Sequence, residues 1–136
     1  MLRLEYFVVA ESHSVDQITN RVSIFNVLEE VQSPTFPVVI PQLVAVALWH
    51  AEAEDIERDF QSTVRLRTPD GALRPFEQNF TMVGPRLRTI ALVVGLEIKE
   101  PGIMEIELLL NGKHVASHIV AVAQTESQRP LGAVSS

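Results

Sequence analysis

Apolar residues recur at every second position over much of the chain, the period of a strand with one face buried. Leu4, Tyr6, Val8 and Ala10 share one face of a first strand. Val22, Ile24, Asn26 and Leu28 share one face of a second, with Phe25 and Val27 on the other. The polar stretch Ser12-His13-Ser14-Val15-Asp16-Gln17 between them reads as a connection. Ile56, Phe60, Val64 and Leu66 keep one parity up to Thr68-Pro69-Asp70-Gly71. There proline presets a turn dihedral and glycine accepts positive φ, so the chain reverses. Ile90, Leu92, Val94, Leu96 and Ile98 alternate as one set, ending at Glu100-Pro101-Gly102. Met104, Ile106, Leu108 and Leu110 alternate against Glu105 and Glu107 and run into Asn111-Gly112. That dipeptide is a strong hairpin signal because both residues tolerate positive φ. A return strand from Lys113 to about Ala123 follows.

The stretch Pro41 to Phe60 supports two readings. Proline at a first helical position and the content of Ala, Leu and Glu favour a helix. Apolar residues at nearly every position from Val38 to Trp49 suit a strand buried on both faces. The β-rich surroundings favour the strand, ending near His50 and followed by an acidic loop. The pattern therefore predicts seven or eight strands with at most one helical turn. Such a chain reads as an all-β, antiparallel two-sheet β-sandwich, immunoglobulin-like by preference and jelly roll as second choice. The predicted domain covers residues 1–123. Residues 124–136 lose the alternation and read as a loose C-terminal tail.

Composition narrows the function classes. Of 136 residues, 46% are hydrophobic, enough for a packed core without staples. The absence of cysteine removes disulfides, thiolate zinc sites and a cysteine nucleophile. No apolar run reaches the roughly 18 residues of a membrane span, and the opening residues lack the layout of a signal peptide. The expectation is a soluble cytoplasmic protein with no membrane partner. Seventeen acids against eleven bases give a net charge of −6, which argues against a nucleic-acid partner. The charge is uneven: Glu52 to Asp59 holds five acids and one base, whereas Phe60 to Lys99 holds six bases and three acids. The two stretches are either complementary between subunits or simply solvated.

Several segments carry a resemblance. They are Asp16 ahead of Arg21-Val22-Ser23-Ile24-Phe25-Asn26-Val27-Leu28-Glu29-Glu30-Val31, then Phe36-Pro37, then the apolar strand Leu43 to Trp49. Thr68-Pro69-Asp70-Gly71 and Pro101-Gly102-Ile103-Met104-Glu105-Ile106 before Asn111-Gly112 complete the set. Together they resemble a family of uncharacterised bacterial β-sandwich domains found as short standalone proteins. Members often carry an aromatic two residues after the late glycine, where Met104 stands here. The resemblance implies a sandwich over nearly the whole chain, to about residue 123, and implies no activity.

Candidate chemistry is sparse. His50, Glu52, Glu54 and Asp55 form the most metal-like group, since imidazole and carboxylates suit divalent cations. Same-face neighbours on a strand lie ~6.6 Å apart, so these groups converge only at a turn or bulge. A solvated acidic loop is the competing account. His114 and His118 share a strand face but sit ~13 Å apart along it, beyond the reach of one metal. Ser12, His13 and Asp16 hold the residue types of a nucleophilic triad without a Gly-x-Ser-x-Gly elbow. Glycines are scattered and form no phosphate-cradling loop, so no cofactor is expected. Trp49 reads as a core plug, and Asn26, set among apolar neighbours, as a buried amide bonded to nearby backbone.

Three functions follow from this inventory. The first is a non-enzymatic protein-interaction module or homo-oligomer. Leu87, Ala91 and Val93 are apolar on one face of their strand while the Ile90 to Ile98 set is apolar on the other. An outer face that stays apolar suggests an isologous interface. The second is a small-ligand or metal-binding domain using the loop end around Trp49 to Asp55. A hydrolase built on His13 or His50 ranks last.

Overall fold

A computed structural model of the chain describes residues 1–126. It is all-β apart from one 3-10 turn, with nine strands in two sheets among the described residues. The strands are β1 (Arg3–Val15), β2 (Val22–Val27), β3 (Glu30–Ser33), β4 (Val38–His50), β5 (Asp59–Arg67), β6 (Leu73–Thr81), β7 (Arg86–Ile98), β8 (Gly102–Leu110) and β9 (Lys113–Gln124). One sheet has the order β2-β1-β4-β7 and the other β3-β9-β8-β5-β6. All pairings are antiparallel except β3 with β9, where the chain leaves the first sheet and runs parallel along the second. The count exceeds the seven or eight expected partly because β3, four residues long, carries no periodic signal of its own. The expected loose tail from residue 124 begins where β9 ends at Gln124, and beyond 126 it lies outside the described residues.

The ambiguous stretch is a strand. β4 is central, hydrogen-bonded to β1 on one side and β7 on the other. Leu43, Ala45, Ala47 and Trp49 point into the main core between the sheets. Val44 and Val46 point the other way and are also fully buried, in a second cluster with Ala10. Burial on both faces explains a run that is apolar at nearly every position. The 3-10 turn Ala53–Asp55 follows and leads directly into β5.

The second cluster is covered by the chain itself. β1 continues through Val15, so the stretch expected to be a polar connection is the far half of a long hairpin with β2. Two strands separate β2 from β7 in the sheet, yet the Asn20 carbonyl at the hairpin turn accepts a 2.9 Å hydrogen bond from Arg88 on β7. The four-stranded sheet is therefore curled into a half-barrel, with the hairpin bent over its outer face. Tyr6, Ile24 and Ile90 pack onto Ala10, Val44 and Val46 beneath it.

Two irregularities reassign faces that strict alternation predicts wrongly. A register shift between Leu4 and Tyr6 leaves Leu4 against the main core with Phe7 and Val9, and Tyr6 on the outer cluster with Ala10. Gly95 takes φ +68°, which divides the set from Ile90 to Ile98. Leu96 and Ile98 are fully buried in the main core, whereas Ile90 faces the outer cluster and Leu92 and Val94 are exposed. The turns follow the sequence closely. Asn111 and Gly112 both adopt positive φ between Leu110 and Lys113, and the Gly71 amide bonds the Thr68 carbonyl at 2.9 Å.

Candidate functional site

The loop end of the sandwich holds the residues that spacing singles out, and each has a structural task. Trp49 is fully buried; its ring lies 6.3 Å from Phe80, which stacks in turn on Phe60, and its indole N–H donates to the Thr89 hydroxyl at 3.1 Å. It is a core plug with its one donor satisfied. Glu52 caps the 3-10 turn and Asp55 caps back, its carboxylate accepting the Glu52 amide at 2.9 Å. The same carboxylate oxygen meets the N-terminal ammonium at 3.2 Å, while Glu54 meets that ammonium at 3.1 Å. Burial works against Asp55 ionisation, but the Glu52 amide and the ammonium outweigh it and hold the carboxyl below its usual range. His50 sits back in the sheet at the end of β4, across from Arg3 and Arg86. The four metal candidates are thus divided between a capped turn and a sheet end. Among the described residues no three His, Asp or Glu side chains are grouped to hold a metal ion.

The remaining candidates are dispersed. The bulge between Leu108 and Leu109 places His114 opposite Leu109 and His118 opposite Ile106, so the two imidazoles face opposite sides rather than sharing one. His118 bonds the Leu28 carbonyl at 2.6 Å, and His114 bonds the Ser117 hydroxyl at 2.7 Å. His13 is within β1, opposite Ile24, rather than in a loop. Asp16 caps the hairpin turn, accepting the Ile18 and Thr19 amides at 2.8 and 2.9 Å. Those two bonds, the Thr19 amide foremost, hold its carboxyl below the usual range, as an aspartate fixing a turn requires. Asn26 is exposed rather than buried; it takes φ +58° and donates to Glu11 at 3.1 Å.

The feature the structure brings forward is the free edge at β7. Leu92 is 54% and Val94 67% exposed on the outer face of this edge strand, and Val39 on the neighbouring strand is 54% exposed. Alternation assigned Leu92 and Val94 to one buried-or-outer set with Leu96 and Ile98. Gly95, isolated inside a strand pattern, was the sequence signal that separates them. The outer face of the five-stranded sheet is different in character. Arg65 makes a bidentate pair with Glu107, 3.1 and 3.2 Å, directly across β5 and β8. That face also exposes Ile103 and Ile119 but is polar and self-paired around Arg65 and Glu107. The β7 edge, in contrast, is apolar at Leu92 and Val94 and has no strand partner among the described residues, only the Gln78 side-chain amide donating to the Ile90 carbonyl at 2.6 Å.

With this geometry in place, the chain is identified by its sequence as a member of a family of unknown function, DUF6941, whose profile matches residues 5–123. No protein of curated function matches it. Among solved structures, it is similar to the Pseudomonas fluorescens alkylpurine DNA glycosylase AlkC bound to DNA containing an abasic site analog, with a TM-score of 0.60 and 10% identity. The likeness covers 89% of this chain and only 30% of the glycosylase chain, and at that identity it speaks for the fold alone. No helix among the described residues is long and apolar enough to cross a membrane.

Proposed function

We propose that the chain is a non-enzymatic interaction module of immunoglobulin-like topology that self-associates through the β7 edge. The strand order supports the topology. β1, β4 and β7 stand where an immunoglobulin domain has A, B and E, and β5, β8 and β9 where it has C, F and G. β6 then extends the second sheet as an additional strand beside C. The fold reaches this form without cysteine, which fits a cytoplasmic setting.

The observation that carries the reading is an edge strand of thirteen residues with exposed Leu92 and Val94 at its middle. Edge strands are ordinarily blunted by charge, proline or brevity, and here the charges stand only at the ends. Arg86 and Arg88 begin the strand and Glu97 closes it. Antiparallel pairing of two copies about a two-fold axis near Leu92 sets the arginine-bearing start of one strand against Glu97 of the other. The apolar residues then meet at the centre, a self-complementary, isologous arrangement. The glycosylase's DNA complex is a property of that protein; the net charge of −6 favours a protein partner here.

Native mass spectrometry and sedimentation equilibrium on the full chain test this reading. A dimer is expected, converting to monomer in Val94→Lys with the unfolding midpoint retained. A wild-type chain that stays monomeric at about 1 mM, the concentration where contacts worth roughly 4 kcal/mol would register, removes the proposal.

A further inference from the structure

The hairpin that bends over the four-stranded sheet leaves a pocket of about 450 Å³ between itself and the ends of β4 and β7. Asn20, Arg21 and Val22 form one wall and Leu48, Arg86 and Arg88 the other. Three arginines therefore line one cleft of a chain whose net charge is −6. Arg86 is held by Glu5, with its Nε 2.9 Å and its Nη2 3.1 Å from the two carboxylate oxygens. Arg88 is held by the Asn20 carbonyl through Nη2, but its Nε is buried with no hydrogen-bond partner. The buried Nδ1 of His50, across the register from Arg86, also has none. Arg21 has no carboxylate partner among the described residues. Three cations against Glu5 and Asp16, the latter in the hairpin turn beside Arg21, leave a local excess of one positive charge.

Arginine side chains gathered around one cleft repel each other. An oxyanion in the cleft relieves that repulsion. Its oxygens accept from the free fork of Arg21, and its charge offsets the local excess. We infer that this pocket binds a phosphate group. Val22 and Leu48 supply apolar wall beside the arginines, room for the organic part of a phosphate monoester. Arg88 couples the site to the fold, because it lines the cleft and holds the hairpin turn through Nη2.

The test is an amide-detected NMR titration of the full chain with inorganic phosphate and, separately, with phenyl phosphate, at constant ionic strength set by chloride. Saturable shifts are expected at the amides of residues 20–22 and 86–88. Tighter binding of phenyl phosphate identifies a monoester as the natural form, and equal binding identifies free phosphate; both outcomes support the site. Arg21→Gln, at an exposed position that holds no structural bond through its side chain, should weaken binding about tenfold with the unfolding midpoint unchanged. Arg88→Lys keeps the charge and removes the fork, and should weaken binding by a similar factor. Shifts that fail to saturate, or saturable binding that both substitutions leave intact, overturn the inference.

Discussion

Single residues decide which side of this protein a side chain serves. Gly95 is the clearest case: one positive φ turns Leu96 and Ile98 inward and leaves Leu92 and Val94 outside. Gly102 is constrained differently. It takes φ +145°, and a Cβ there would lie 2.9 Å from the Pro69 Cβ in the neighbouring turn. Gly102→Ala is accordingly expected to destabilise the fold by about 1–3 kcal/mol, the usual cost of overpacking, read as a lower urea midpoint. An unchanged midpoint would show that the two turns separate freely. Thr89 is a second test at this scale. Its hydroxyl is the acceptor for the buried Trp49 indole, so Thr89→Val should cost about 1–2 kcal/mol with the tryptophan fluorescence altered. None of these assignments needed a remote signal: glycine inside a strand and tryptophan at a strand end were visible in the sequence. Their consequences were not, because they depend on which neighbour stands opposite.

At the scale of elements, the β1–β2 hairpin separates local from long-range information. The near half of β1 and the alternation of β2 follow from the sequence, but the extension of β1 through Val15 does not, and the bend across the sheet to Arg88 is a contact between residues 68 positions apart. The bend answers a question posed by β4, whose two apolar faces require cover on both sides. The main core provides one cover and the hairpin, through Ile24, provides the other. Ile24→Ala should therefore lower stability by about 1–2 kcal/mol, since roughly half a side chain's burial is removed. Amide exchange should accelerate over Ala10 and Val44–Val46 in particular. Acceleration confined to the hairpin turn would show that the second cluster does not depend on this cover. The turn of the β8–β9 hairpin, by contrast, was legible, because Asn111-Gly112 fixes it locally, while the register shift beyond Leu109 was not.

Across the whole molecule, stability is tied to carboxylates held in their charged form. Hydrogen bonding by the Arg65 guanidinium holds Glu107 below its usual range, the Thr68 hydroxyl and Ala72 amide do so for Asp70, and the Thr19 and Ile18 amides for Asp16. In the unfolded chain these groups titrate near the ordinary value of about 4. A carboxyl lowered by folding stabilises the native state fully above that value, and the contribution is lost as pH falls through the native value. The urea midpoint should thus fall as pH drops below about 4. Asp16→Asn and Glu107→Gln should each flatten that acid limb, and variants that keep the full wild-type slope would exclude these groups as its source. The distribution of charge also separates the two sheet surfaces. The five-stranded sheet neutralises its own face through Arg65 and Glu107, while the four-stranded sheet gathers arginines at one end and apolar residues along its edge.

The sequence by itself determined the all-β class and the turns at Thr68–Gly71 and Asn111–Gly112, and it favoured a strand over 38–50. These rest on period, propensity and turn chemistry, which act over a few residues. Only the tertiary structure decided which alternating sets are cut by a bulge, that the outer apolar cluster is covered by the chain's own hairpin, and that Arg21 lines one cleft with Arg86 and Arg88. Those facts arise where a curled sheet brings its distant edges together, and a period of two carries no information about curvature.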